Sequence, residues 1–366
     1  MRRLGRSWRW AVVVAGVAVL AAVPAVVGAL PVRATAVEPD QLAAAIVGST
    51  NAPYQGYVET RGQLAIPDLP DVDTATALLG GPAKIRVWRA SPVAWRADLL
   101  NPTGESDTYG DATGTWTWDS TDRRVSRIEQ APGDVRLPRP ADVVPPELGR
   151  RLVDGAAPGE LQPLAPARVA GRSVPGLRIV PADPVSTVDH VDVWADAVTG
   201  VVLRVAVVSR GADRPVFESQ FLDVSLSRPA DNLVTFVRPT GVRNRRNQST
   251  DLLQQLRSIT SSVQLPASLA GLARAPGQTG GIATYGDGFG VVTVIAVPSF
   301  LISDAIPSTF PLTDRPWGGQ ARVVETQLVN AMAMSSGSLG YVLTGAVTVA
   351  ELDRVAAVIN QVRPGQ

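Results

Sequence analysis

The chain contains no cysteine. Disulfides, thiolate zinc sites and cysteine nucleophiles are thereby excluded, as is the lipid-modified cysteine of bacterial lipoproteins. Histidine occurs once, at His190, so a catalytic triad or an imidazole metal cluster would have to be built around that single ring. Lysine also occurs once, at Lys84, and every other basic residue is arginine. The arginines are scattered. With the abundant Ala, Val, Gly and Pro they reflect a GC-rich genome rather than a phosphate-binding array. The formal net charge is +1, so nothing steers the protein toward nucleic acid, and no nucleic-acid partner is expected. Length and apolar content are plentiful by contrast. The 366 residues are 45% hydrophobic, enough for about two domains with packed cores.

Arg2, Arg3, Arg6 and Arg9 precede an apolar run from Ala11 to Leu30, and Ala34-Thr35-Ala36 follows. A basic start, an apolar stretch and an A-x-A site mark a secretory signal. As a helix the run would reach about 30 Å, long enough to cross a bilayer. Two outcomes stay open: cleavage near Ala36, or retention as a signal anchor. In either case the basic residues hold the amino terminus in the cytoplasm. Everything after residue 36 is expected to be extracytoplasmic, either secreted or membrane-anchored. No later run has this character.

Pro39 to Val47 predicts a short helix with Leu42, Ala45 and Ile46 on one face. Tyr54 to Ile66 alternates as a strand, and Lys84 to Ile128 is a train of alternating strands. In that train Ile85 and Val87 share a face, then Trp95, Ala97 and Leu99, then Trp116 and Trp118. A second train runs from Val188 to Val224, with Asp196 to Gly200 as a turn. Leu233 to Val237 is expected to close the sheet. Between the trains, Gln130 to Pro166 is rich in proline and arginine, with a helix candidate at Pro146 to Leu152. It reads either as a lid over a cavity or as a surface excursion.

Arg243 to Ser249 is a basic, polar stretch that reads as a solvated hinge, or as a contact for an anionic surface. An amphipathic helix with Leu252, Leu253, Leu256 and Ile259 on one stripe follows. From Pro266 onward, strands are expected at Gly281 to Val297 (broken at Gly286-Asp287-Gly288), Val323 to Thr326, Asn330 to Ser335 and Gly340 to Leu343. Thr348 and Glu351 have capping-box spacing, opening a final helix with Leu352, Val355, Ala356 and Ile359 on one face.

Chemistry-bearing motifs are scarce. Gly286 to Gly290 carries the glycines of a dinucleotide loop, but such a loop opens a helix, and the β-branched Val291 to Val297 predicts a strand. His190 has no G-x-S-x-G elbow to serve and reads as a cross-strand histidine. Asp111, Asp119 and Asp122 lack the spacing of a calcium loop and sit at turns, where aspartate is common. No metal, no cofactor and no catalysis are expected. Trp88, Trp95, Trp116, Trp118 and Trp194 all fall in predicted strands of one domain. Each buries about 150–250 Å², either filling a core or lining a cavity.

Five segments carry a family resemblance: Pro53-Tyr54-Gln55-Gly56-Tyr57; Val87-Trp88-Arg89 through Trp95-Arg96-Ala97-Asp98; Gly110-Asp111 through Trp116-Thr117-Trp118-Asp119; Val193-Trp194-Ala195-Asp196 with Thr199-Gly200 and Leu203-Arg204; and Phe217 to Val224. In this order they resemble LolA-type lipoprotein carriers and the RseB/MucB-type sigma-E regulatory proteins, and the GC-rich composition fits an exported actinobacterial member. Tyr285-Gly286-Asp287-Gly288 and Leu343-Thr344-Gly345 resemble the small second domain of the regulatory branch. The resemblance implies an α+β protein: a curved antiparallel half-barrel with a helical lid, plus a small carboxy-terminal α+β domain. It implies the segments 1–36 (signal peptide or anchor), 37–242 (half-barrel), 243–265 (linker with short helix) and 266–366 (second domain). It implies an apolar cavity for lipid or lipoprotein acyl chains, with Trp88, Trp95, Leu99, Trp116, Trp118, Trp194, Leu203 and Phe217 as candidate lining. In the regulatory branch the partner is a membrane-bound anti-sigma factor.

Overall fold

The computed structural model describes residues 37–64, 73–101, 104–121, 123–128, 136–240, 242–245, 260, 263–278, 280–302 and 309–361. The export segment and the amphipathic helix expected at Leu252 to Ile259 lie outside the described residues. Among those described, no helix is long and apolar enough to cross a membrane.

The two alternating trains become one sheet. Its strands are β1 (Tyr54–Gly62), β2 (Pro82–Ser91), β3 (Ala94–Asn101), β4 (Gly104–Asp111), β5 (Gly114–Asp119), β6 (Arg124–Ile128), β7 (Leu161–Val169), β8 (Arg172–Ile179), β9 (Val188–Ala195), β10 (Val202–Ser209), β11 (Phe217–Ser225) and β12 (Arg243–Arg245). The spatial order is β12-β6-β5-β4-β3-β2-β1-β11-β10-β9-β8-β7. β1 thus joins the trains by pairing with β2 on one side and β11 on the other. All pairings are antiparallel except the parallel β12–β6 ladder. β12 and β7 are edges, so the curved sheet stays an open half-barrel.

Three helices cover one face: α1 (Pro39–Gly48), α3 (Pro140–Val143) and α4 (Pro145–Asp154). The short α2 (Asp73–Leu79) packs at the far end of β1 and β2. Leu42, Ala43 and Ile46 of α1 are buried in a core that includes Ile85, Leu99, Leu177, Leu203 and Phe221. Gly200 lets α1 lie on the β9–β10 turn. It has φ +69°, and a Cβ there would stand 2.0 Å from the Ala45 carbonyl oxygen. Asp196 Oδ1 closes the same turn, accepting from Thr199 N and Oγ1 at 2.9 Å each.

Two local expectations are corrected. Leu233 to Val237 is no strand: a helical turn, α5 (Asp231–Val234), forms there instead. Phe236 then stacks on the sheet, and its ring rather than its backbone makes the contact. The second part of the proline-rich stretch is β7, which was not expected as a strand. It lies at the sheet edge, where the missing amides of Pro163 and Pro166 break no inner ladder.

The second sheet contains β15 (Ile282–Tyr285), β16 (Val292–Pro298), β17 (Leu312–Asp314), β18 (Gln320–Val324), β19 (Asn330–Ser336) and β20 (Leu339–Gly345), in the order β15-β16-β20-β19-β18-β17. A minor hairpin of β13 (Ser268–Leu269) and β14 (Leu272–Ala273) precedes it. Helix α6 (Val349–Gln361) buries Leu352, Val355, Ala356 and Ile359 against Met332, Val294 and Leu343. The capping box forms by half. Thr348 Oγ1 accepts from Glu351 N at 3.3 Å. Glu351 instead accepts from Arg354, because Thr348 N donates to Val185 O at 2.8 Å. That bond and Thr187 N→Ala346 O, at 2.9 Å, splice the second sheet onto the start of β9.

Candidate functional site

Strand parity divides the sheet into a face under the helices and a face turned away from them. Tyr54, Val87, Arg89 and Trp95 have the covered parity, and with Ala141, Glu147 and Arg150 of the lid they bound a cavity of about 250 Å³. Leu99 has the same parity but lines a separate space of about 270 Å³ near α2, beside Ala83 and Gly80. Leu203 and Phe217 are fully packed in the core. Trp95 fits because its neighbour is glycine: a Cβ on Gly110 would stand 2.0 Å from the indole.

The other candidates do not converge there. Registry places Trp88 across from Arg96, Arg96 from Tyr109, Tyr109 from Trp116 and Trp116 from Arg127. This row stands on the uncovered face. Arg96 lies 5.1 Å from the Trp88 ring and 5.0 Å from the Tyr109 ring, and Arg127 lies 5.2 Å from Trp116. Phe236 closes the row, stacked on Trp116 at 5.1 Å. Trp118 shares the parity of Trp116. Trp194, also on that face, lies under Arg204 at 4.6 Å and donates to Ala165 O at 3.0 Å. The eight candidates therefore separate into Trp95 at the lid cavity, Leu99 near α2, Leu203 and Phe217 in the core, and four tryptophans on the opposite face.

Sequence reasoning passed over the polar groups that close the cavity. Arg89 has the inward parity of Ile85 and Val87, an arginine on an apolar face, and that misplaced charge was the available signal. Its Nη1 meets Glu147 Oε1 at 2.8 Å, and its Nη2 donates to Thr50 O at 2.9 Å. Arg150 Nη2 donates to the second Glu147 oxygen at 3.0 Å. One guanidinium thus ties β2 to the turn after α1 and to α4. Arg89 is buried and Glu147 largely shielded, with side-chain exposures of 8% and 16%. Tyr54 lies beneath, edge-on to Phe221 at 6.1 Å. Burial, and then the Glu147 charge, push its phenol well above the ordinary range, so it stays neutral.

Asp142 is the second lid anchor. It accepts from Arg136 through both oxygens, from Arg151 Nη2 at 2.9 Å and from the Arg139 amide at 2.8 Å. Burial alone would raise its pKa, but the Arg136 hydrogen bonds and charge, with Arg151, hold it below the usual carboxylate range. Ser219 Oγ donates to Val143 O at 2.6 Å and pins the same segment to β11. Because the folded-state pKa is depressed, Asp142 stabilises the lid above the unfolded carboxylate pKa of about 4 and loses that contribution as pH falls through the folded value. An acid titration followed by Trp fluorescence is expected to loosen the lid below about pH 4, and Asp142→Asn is expected to abolish that transition.

His190 Nδ1 contacts Asp189 Oδ2 at 2.7 Å, and Nε2 lies 3.9 Å from Asp192. Both neighbours are carboxylates, and among the described residues no hydroxyl nucleophile is bonded to the ring. On the uncovered face, Asp98 and Asp107 are both buried, at 1% and 5% exposure. Burial, then the Asp98 charge, push Asp107 up to about 7.

No family model and no curated protein matches the sequence. Solved structures do. The MucB chain from a complex with MucA(peri) superposes with a TM-score of 0.50 over 90% of this chain and 100% of its own, at 15% identity. The fold is similar to that of MucB. The MucB-like arrangement embraces both sheets, since an alignment over 90% of the chain must cross from one to the other. The MucA/MucB complex of Pseudomonas aeruginosa gives 0.48 over 89% of this chain and 97% of its own at 16% identity. A LolA superfamily protein of Nitrosomonas europaea gives 0.23 over 55% of this chain and 99% of its own at 11% identity.

Proposed function

We propose that this is a non-enzymatic, extracytoplasmic binding protein that takes the apolar chain of a lipid or lipoprotein between the half-barrel and its helical lid. The observation that carries the reading is the latched lid over an apolar wall: Val87 and Trp95 below, Ala141 above, and the Arg89–Glu147–Arg150 bridge across. A cavity of about 250 Å³ is smaller than the roughly 300–1,000 Å³ of ordinary small-molecule sites. A long chain therefore enters by displacing the lid, and the shielded ion pair resists that displacement. Each buried methylene returns about 0.8 kcal/mol, so a chain of several methylenes offsets the opened pair. Export rests on the basic and apolar amino-terminal segment.

Native mass spectrometry of the protein purified from its own membranes is expected to show a lipid-mass adduct that delipidation removes and added fatty acid restores. A protein that is always empty and takes up no acyl probe would reject the reading.

A second reading is supported by the MucB-like fold spanning both sheets, because MucB was crystallised with MucA(peri). In it the second sheet helps to hold a membrane-anchored anti-sigma partner, and lipid entry under the lid releases it. Co-purification with such a partner's ectodomain, lost on adding the acyl ligand, is the expected result.

A further inference from the structure

The uncovered face holds a cluster that neither the lid nor the acyl-chain reading uses. Asp98 of β3 and Asp107 of β4 stand directly opposite each other, and like charges so placed repel. Glu105, two residues before Asp107, has the same parity. Carboxylate oxygens of the three residues lie within 4.8 Å of one another. Arg96 answers part of this charge, donating to Asp98 Oδ1 at 2.7 Å and to Asp107 Oδ2 at 2.9 Å. It is held between the Trp88 and Tyr109 rings and cannot turn to serve other oxygens. Among the described residues, Arg86 stands across from Asp98 but is exposed and in no ion pair. Among the described residues, none donates a hydrogen bond to the buried Asp107 Oδ1. A buried carboxylate oxygen without a donor has lost its hydration with nothing in return, and such groups in native proteins normally have a partner.

We propose that Asp98, Glu105 and Asp107 form a site for a hard divalent cation, calcium. The donors are all oxygens, which suits Ca²⁺, Mg²⁺ or Mn²⁺ rather than zinc or copper. Calcium bonds of about 2.3–2.6 Å accept oxygens spread as widely as these, whereas magnesium bonds of about 2.0–2.1 Å demand a tighter octahedron. A divalent ion brings the cluster with Arg96 to neutrality and gives Asp107 Oδ1 its partner. The bound ion would pin β3 to β4 where their facing aspartates otherwise push apart.

Registry places Trp118 across from Asp107, next to the site, so a lanthanide bound there is excited through the indole. Full-length protein in detergent, stripped with chelator, is titrated with Tb³⁺ under tryptophan excitation. Saturable emission is expected. Calcium should compete it away and magnesium at equal concentration should not. Calcium should also raise the thermal midpoint. Asp107→Asn and the half-buried Glu105→Gln are each expected to weaken calcium binding by roughly tenfold or more. Absence of saturable emission, or emission from the two variants equal to that of the wild type, would overturn the site. So would a wild-type midpoint indifferent to calcium together with a stabilising Asp107→Asn. In that outcome a proton on Asp107, and not a metal ion, relieves the charge of the cluster.

Discussion

Replacing Arg89 with alanine is expected to unlatch the lid and to cost about 1.5–3 kcal/mol of stability, because it removes one of the two guanidinium partners of a largely shielded carboxylate. Glu147 keeps only Arg150, which reaches it at 3.0 Å from the same helix. The link from α4 to β2 is gone, and so is the bond from Arg89 to Thr50 O after α1. Denaturant unfolding should report the loss, and hydrogen exchange should quicken in α1 and α4 before it does in β9 and β10. The double variant Arg89→Met/Glu147→Leu removes both charges, and apolar replacement of a buried pair is often neutral. It is expected to regain most of the stability. A single-variant loss below about 1 kcal/mol is the range of solvent-screened surface pairs, and it would deny the bridge its role as a latch.

Trp95→Asp is expected to weaken acyl-chain uptake by about 100-fold or more, equivalent to roughly 3 kcal/mol. The change strips an aromatic wall from the lid cavity and sets a carboxylate in its place. Trp116→Asp, in the same domain and of the same chemistry, is expected to leave uptake within about threefold, because Trp116 faces Phe236 on the other side of the sheet. Fluorescent fatty-acid titration of both variants, with circular dichroism to establish folding, makes the comparison. Equal losses in the two would place the chain elsewhere. The contrast tests strand parity directly, since Trp95 and Trp116 are equally aromatic in sequence and differ only in which face they occupy.

Much of this architecture was readable along the chain. Alternation marked the strands from Tyr54 to Ile128 and from Val188 to Val224, Asp196 to Gly200 marked a turn, and Thr348 marked the cap of the last helix. Those features depend on neighbours within a few residues. Period-two patterning, turn chemistry and capping are local, and the chain states them locally. The proline-bearing β7 was missed because its pattern is blurred by residues that only an edge position tolerates. The turn at Asp231 to Val234 was misread because an apolar run of that length serves strand or helix equally.

Amino-acid order alone thus determined that there are two strand trains, each with two faces, and that the chemistry would not come from cysteine or a histidine cluster. It did not determine which face is inside. Alternation is symmetric between faces until helices from distant segments cover one of them. Only the packing of α1, α3 and α4 put Trp95 under the lid and left Trp88, Trp116, Trp118 and Trp194 on the other side. The same holds for charge. Arg89 and Glu147 are far apart in sequence, and Asp98 and Asp107 meet only through the β3–β4 register. Pairing of that kind is a property of tertiary neighbours, and folding the chain was required to reveal it.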